Sequence, residues 1–180
     1  MLLDRAKSAL LIVDVQERLT PVMTDPRRVI HNCHLLIRAA QRLQIPALAS
    51  EQYPKGLGPT MVHLRSLLPE DDILPKLHFS GAGDETILAR LKSLEKPQIV
   101  IAGIEAHVCV LQTALDLKMR GFTPAVVADA CASRREDSER LAWNRLGQSG
   151  IPLVSVEMTI FEWLNRAGNT EFKELSALIR

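Results

Sequence analysis

The sequence predicts an α/β fold, a doubly wound sheet of about six parallel strands between two layers of helices. Three observations carry that expectation. Short apolar runs alternate with helical periodicity from one end of the chain to the other. Two of the runs, Ala9–Val13 and Ile99–Ala102, contain no polar residue, as strands covered on both faces do not. The first runs directly into Asp14, beyond the strand end where such sheets hold ligands. The expected architecture is therefore a three-layer, Rossmann-like sheet.

The elements follow in order. Leu10 to Val13 is the first strand. Val29, Ile30, Cys33, Leu36, Ile37, Ala40 and Leu43 recur at three and four residues, which makes an amphipathic helix. Pro46 to Ala49 reads as the second strand. His63, Leu64, Leu67 and Leu68 suggest a short helix in the connection that follows. Leu74 to His78 is a short strand or strand-like link. Glu85 to Leu94 is a helix with Ile87, Leu88, Leu91 and Leu94 on one face. The strand from Ile99 ends at Gly103. A helix from about Ala106 to Met119 follows, closed by Gly121. Then come a strand at Ala125–Ala128, a helix at Glu136–Gln148 and a last strand at Leu153–Val156. Two short helices end the chain, around Ile160–Asn165 and Thr170–Ile179. No repeat or linker divides the sequence, so residues 1–180 are expected to form one domain.

Composition bounds the function. Lys and Arg number 22 against 21 for Asp and Glu, a net charge of +1, so no polyanion partner is implied. The pair Arg134-Arg135 meets Glu136 and Asp137 at once and reads as a solvated helix start. No apolar stretch reaches the roughly 18 residues needed to cross a membrane. Three widely spaced cysteines make no disulfide framework. The expectations are a cytoplasmic protein, a small-molecule substrate, and neither nucleic acid nor membrane as partner.

Three residues invite a chemical reading. Cys109 falls near the first turn of a helix that directly follows a strand. Unpaired N–H groups and the helix dipole there favour an anion, so the thiol is expected to lose its proton more readily. The plain alternative is a small cysteine packing beneath the helix. Asp14 either points toward a ligand or caps the next helix. Lys76, between Pro75 and Leu77, either finds a carboxylate in an apolar setting or is a solvated loop residue.

Together these residues form a pattern. The chain resembles the isochorismatase-like cysteine hydrolases, in their divergent, metal-free branch. The matching segments are Leu11-Ile12-Val13-Asp14-Val15-Gln16, Lys76 with Ser80 four residues on, and Gly103-Ile104-Glu105-Ala106-His107-Val108-Cys109-Val110. Val126-Val127-Ala128-Asp129-Ala130-Cys131-Ala132-Ser133 and Glu51-Gln52-Tyr53-Pro54-Lys55-Gly56-Leu57-Gly58 also fit. The resemblance spans about Ala9 to Leu164. It implies Cys109 as nucleophile, Asp14 as general base and then acid, and Lys76 balancing their charge. It also implies an oxyanion hole from the backbone N–H groups of Glu105 and Cys109, and a cis peptide at Ile104–Glu105. The reaction implied is hydrolysis of an amide-type C–N bond through a covalent acyl-enzyme. Gln16, Gln52, Tyr53, Phe79 and His107 are the candidate pocket residues.

Departures from the family matter as well. Glu105 stands where many members have Thr or Ala, and its carboxylate either enters the pocket or turns to solvent. Ser80-Gly81-Ala82 replaces Ser-Ala-Phe and puts the pocket wall in doubt. Glu51-Gln52-Tyr53 replaces the Asp-x-His pair of the metal-binding nicotinamidases, and zinc prefers nitrogen and sulfur ligands. No metal or cofactor is therefore expected. His31 and His34 flank Cys33, but the cysteine belongs to the apolar stripe, so surface and core account for the three. His78, two residues after Lys76, is a weaker candidate for pocket polarity. Cys131 reads as packing. Trp163, Phe161, Phe172, Leu175, Leu178 and Ile179 suit a subunit contact or packing on their own domain. Because family members are commonly oligomers, a dimer or larger is expected. Three rival functions stay open: an isochorismatase-type ether hydrolase, a thiol redox protein, and a non-catalytic binding module.

Overall fold

A computed structural model describes residues 1–179; Arg180, the last residue of the expected domain, lies outside the described residues. Six strands form one parallel sheet: β1 (Ser8–Val13), β2 (Ala47–Gln52), β3 (Ile73–Lys76), β4 (Gln98–Ile104), β5 (Thr123–Ala132) and β6 (Leu153–Val154). Their spatial order is β3-β2-β1-β4-β5-β6. The chain leaves β1 toward one edge and begins again at β4 toward the other. The crevice beyond the ends of β1 and β4 is thus the topological switch point. Expectation and structure agree on the fold class.

The alternation of side chains along β1 divides the core in two. Leu10 and Ile12 face α1 (Pro26–Arg42), α7 (Val156–Leu164) and α8 (Thr170–Leu178). Ala9, Leu11 and Val13 face α4 (Glu85–Ser93), α5 (Leu111–Met119) and α6 (Glu136–Gln148). Two short helices, α2 (Pro54–Leu57) and α3 (Val62–Arg65), fill the β2–β3 connection. Leu10, Leu11, Ile12, Leu36 and Ile37 are almost wholly buried, each contributing about 1.5–3 kcal/mol of transfer free energy. The helix over α1 forms where its stripe predicts. Pro26 opens it, and Asp25 caps it by accepting the Arg28 N–H.

Three differences bear on the site. β2 runs on to Gln52, three residues past the expected end. That extension lets Gln52 pair in register with Lys76. β5 is also longer than expected, and its register against β4 jumps. Ile101 pairs with Val126, but Gly103 pairs with Cys131. The extra β5 residues bulge, and this brings Ser133 and Arg134 beside the end of β4. Finally, the helix carrying Cys109 opens as a wide π turn, Ala106–Val110, before α5 begins.

The chain's aromatic end packs on its own domain. Trp163 and Leu175 are buried in the same core cluster as α1, with Phe172 and Ile179 partly buried against it. Phe161 and Phe172 stack tilted, ring centres 6.2 Å apart. Trp163, Phe172, Leu175 and Ile179 are therefore committed within the chain, while Phe161 and Leu178 stay exposed and leave the subunit-contact reading open. Among the described residues no helix is long and apolar enough to cross a membrane.

Candidate active site

The site sits at the strand ends around the switch point. Asp14 follows β1 in a left-handed backbone conformation, φ +54. A non-glycine residue held there costs on the order of 1 kcal/mol or more, and such positions cluster at functional sites. Its N–H is fixed by the Ser50 carbonyl, and its own carbonyl accepts the Gln16 N–H. The carboxylate is wholly buried. Oδ1 accepts from Ser50 Oγ at 2.7 Å, and Oδ2 accepts from Lys76 Nζ at 2.7 Å.

Lys76 closes β3 with its ammonium completely enclosed. Besides Asp14, it donates to Gln52 Oε1 at 2.6 Å and to the His78 and Phe79 carbonyls, both at 3.2 Å. A buried cation needs such a cage, because desolvation otherwise outweighs its attraction to one carboxylate. The solvated-loop reading of Lys76 is thereby excluded.

Cys109 comes to the same place from β4. Cys109 is 5% exposed, and its thiol sits where the Asp14 carboxylate and the Lys76 ammonium both act on it. Two features of the chain deliver it. Gly103, at φ +120, lies so close to β1 that an added Cβ would stand 2.1 Å from the Val13 carbonyl oxygen. Only glycine permits that approach. In the wide turn, the Glu105 carbonyl accepts from the Val108 and Val110 N–H groups. The Cys109 N–H takes no part in that pair of bonds. The Ile104–Glu105 peptide is cis, as the resemblance implied.

The electrostatics correct one expectation. Burial pushes the Cys109 thiol up to about 12, with the Asp14 carboxylate adding to the rise and Lys76 opposing it. The helix start does not make a ready thiolate, because desolvation outweighs it. Burial also raises the Asp14 carboxyl, against the pull of Lys76, Ser50 and Cys109. The resting site holds a thiol beside a base, and a proton must move for the sulfur to attack.

The candidate pocket residues separate. Gln52 holds Lys76 with its Oε1 and donates from Nε2 to the Leu77 carbonyl, so it is part of the ammonium cage. Gln16 is wholly buried. Its Nε2 donates to the Gln52 and Gly58 carbonyls and its Oε1 accepts the Gln52 N–H. It braces the loop and does not line a pocket. The Phe79 ring is 56% exposed while its carbonyl serves Lys76. The Tyr53 ring lies outside the cluster, half-exposed over Gly56. His107 diverges from Cys109, and its Nδ1 lies 2.8 Å from Ser133 Oγ. His78 is turned outward and only its carbonyl reaches the site.

Glu105 takes neither expected course. Its Oε2 accepts from the Arg134 N–H and from Arg134 Nε, each at 3.0 Å. Arg134 is therefore not merely the solvated start of a helix. Ser50, Ser133 and Arg134 are the residues that sequence reasoning missed. A signal existed for Ser50, the first polar residue at the end of an apolar strand. The Glu51 carboxylate is committed to Thr60 and Arg65. Cys131 is wholly buried and pairs with Gly103 between β4 and β5.

The Isochorismatase domain family model matches residues 8–158. The chain belongs to the isochorismatase family. Isochorismatase domain-containing protein 2 of Danio rerio is 38% identical over 175 residues, covering 96% of this chain and 86% of that one. The solved structure of the MAR1 ribonuclease from Caenorhabditis elegans superposes with a TM-score of 0.91 at 36% identity, covering 99% of this chain and 92% of that one. The YcaC gene product of Escherichia coli, described as an octameric hydrolase of unknown specificity, gives a TM-score of 0.93 at 25% identity, covering 99% and 90%. This isochorismatase-family chain has a hydrolase fold, with Asp14, Lys76 and Cys109 gathered at the switch point.

Proposed function

We propose that the protein is a cysteine-dependent hydrolase of a small-molecule amide-type C–N bond. One observation carries the reading: a thiol, a carboxylate and an ammonium from three separate strand ends share one buried cluster. Burying Asp14 and Lys76 together is costly for stability alone, and chemistry accounts for their retention.

The steps follow from the contacts. Asp14 accepts the Cys109 proton as the sulfur attacks the substrate carbonyl carbon. Lys76 keeps the site from accumulating two negative charges without compensation. Negative charge moves to the carbonyl oxygen, where the Glu105 and Cys109 N–H groups are the proposed donors. Collapse of this intermediate breaks the C–N bond, and Asp14 hands its proton to the departing amine. Water then attacks the thioester, giving its proton to Asp14. The acid leaves, and the proton returns to sulfur.

The substrate in this reading is a small, neutral or weakly polar carbonyl compound that fits a compact pocket. The homo-oligomer expectation draws on the octameric E. coli relative, and light scattering checks it. A reducing, cytoplasmic compartment suits a nucleophilic thiol.

The test is ammonia release from a small-amide library by the wild type, Cys109→Ser, Asp14→Asn and Lys76→Ala. Intact mass detects the acyl-enzyme. The reading requires turnover in the wild type and an acyl adduct confined to Cys109. Undiminished turnover by Cys109→Ser overturns it. An enol-ether substrate and RNA are parallel arms, the second because the C. elegans relative is described as a ribonuclease.

A further inference from the structure

Glu105 presents a physical problem within the proposed mechanism. It lies four residues before the nucleophile and is 7% exposed. A carboxylate at the residue meant to donate to an oxyanion opposes both that oxyanion and a nearby thiolate. Such an anion demands a compensating cation, and Arg134 provides it with two hydrogen bonds to one oxygen, Oε2.

The same loop grips the turn a second time. Ser133 holds His107, and Ser133 is itself fixed. Its N–H donates to Glu139 Oε1 at 2.8 Å, and its carbonyl accepts the Thr24 N–H at 3.0 Å. Glu139 Oε1 also accepts from Thr24 Oγ1 at 2.7 Å. The β5–α6 loop is thus held to the β1–α1 loop while it holds the Cys109 turn at Glu105 and His107.

We infer that Arg134 is a positioning residue for the nucleophile. By pairing with Glu105 it neutralises that carboxylate and directs it away from the thiol and the oxyanion donors. This rests on the hydrolase reading for its consequence in turnover, but its effect on the thiol stands apart from turnover. The Arg134 side chain is 60% exposed, so truncating it opens no core cavity and its main effect is electrostatic.

The experiment is the rate of iodoacetamide alkylation at Cys109, located by peptide mass, at one pH near neutrality. The variants are Arg134→Ala, Arg134→Lys, Glu105→Gln and the double variant Glu105→Gln with Arg134→Ala. Melting curves confirm that each is folded. Arg134→Ala is expected to slow alkylation about threefold to tenfold, the scale of a nearby uncompensated charge. Arg134→Lys keeps the charge and recovers most of the rate. The double variant removes both charges and returns to the wild-type rate or above it. With a substrate in hand, Arg134→Ala lowers kcat and leaves KM within about twofold, since the interaction bears on the transition state. A double variant as slow as Arg134→Ala overturns the inference, because the arginine then acts as a brace. Undiminished turnover by Cys109→Ser would sink the hydrolase reading and leave the order of alkylation rates to judge Arg134 by itself.

Discussion

Cys109 and Cys131 are two buried thiols on adjoining parts of the same sheet end, and they differ in what surrounds them. Burial lifts both to about 12. Cys131 has a backbone neighbour, Gly103, apolar packing, and the charges of Asp129, Arg28 and Glu139 around it. Cys109 has Asp14 and Lys76. A raised thiol is therefore no mark of a nucleophile, nor of its absence. What separates the two is that the carboxylate and the cation beside Cys109 are wholly buried and paired with each other, Asp14 with Lys76. The comparison breaks most sharply by substitution. Cys109→Ser is expected to lower hydrolysis by about a thousandfold or more, as loss of a covalent nucleophile does. Cys131→Ser leaves kcat within about threefold, since only packing and one hydrogen bond change. Steady-state ammonia release on both variants checks this pair.

The base is the next difference to remove. Asp14→Asn keeps the shape and deletes the proton acceptor, and kcat is expected to fall about a hundredfold to ten-thousandfold. It also strands the enclosed Lys76 cation. Stability should drop by about 3–5 kcal/mol, the cost of breaking a buried pair from one side. Urea unfolding beside the kinetics separates these effects. Asp14→Asn with Lys76→Met should recover much of the stability and none of the activity. Recovery of activity in that double variant would show that the pair is structural, and Cys109 would then be no different in kind from Cys131.

Gly103 touches both thiol environments, because it lets β4 lie close against β1 and pairs with Cys131 in the β4–β5 ladder. Gly103→Ala forces a Cβ against the Val13 backbone, and no side-chain shift relieves it. A loss of about 3 kcal/mol or more is expected in thermal or urea unfolding, on the scale of backbone clashes at such positions. A loss under about 1 kcal/mol would mean that β1 and β4 separate easily, and that the distance from Asp14 to Cys109 is not fixed by this glycine.

How much of this was legible beforehand depended on distance along the chain. Asp14, Lys76 and Cys109 stood out because each follows an apolar run, and a strand end in a parallel sheet is a place with known geometry. The sheet itself was legible for the same reason. Ser133 and Arg134 were not, because their partners lie 26 and 29 residues away and no local pattern announces the pairing; Ser50 carried the same strand-end signal as Asp14, with its partner 36 residues away. The wide turn at Ala106–Val110 has no period of its own to read in five residues. Gln16 carried the right motif and the wrong role, since its amide bonds depend on loops that sequence does not orient. The direction of the Cys109 shift was missed because a helix start is local, whereas desolvation belongs to the packed whole.

The smallest effect concerns pH, and it sharpens the comparison where activity cannot. Both thiols have an ordinary value of 9.0 and are raised by the fold to about 12. Cys33, buried on α1, is raised as well. A raised value means that the folded state favours the protonated form. The stability this contributes is fully present below pH 9 and is lost as pH climbs through about 12. Each such thiol adds a downward slope of about 1.4 kcal/mol per pH unit within that window. Urea unfolding from pH 8 to 11 should therefore steepen in its pH dependence above pH 9, and Cys109→Ser and Cys131→Ser should each flatten it by a similar amount. Flattening by Cys131→Ser alone would show that Cys109 holds its proton no more tightly in the folded state than in the unfolded chain. The Lys76 cation would then offset burial, and the two cysteines would differ in how readily each loses its proton as well as in their neighbours.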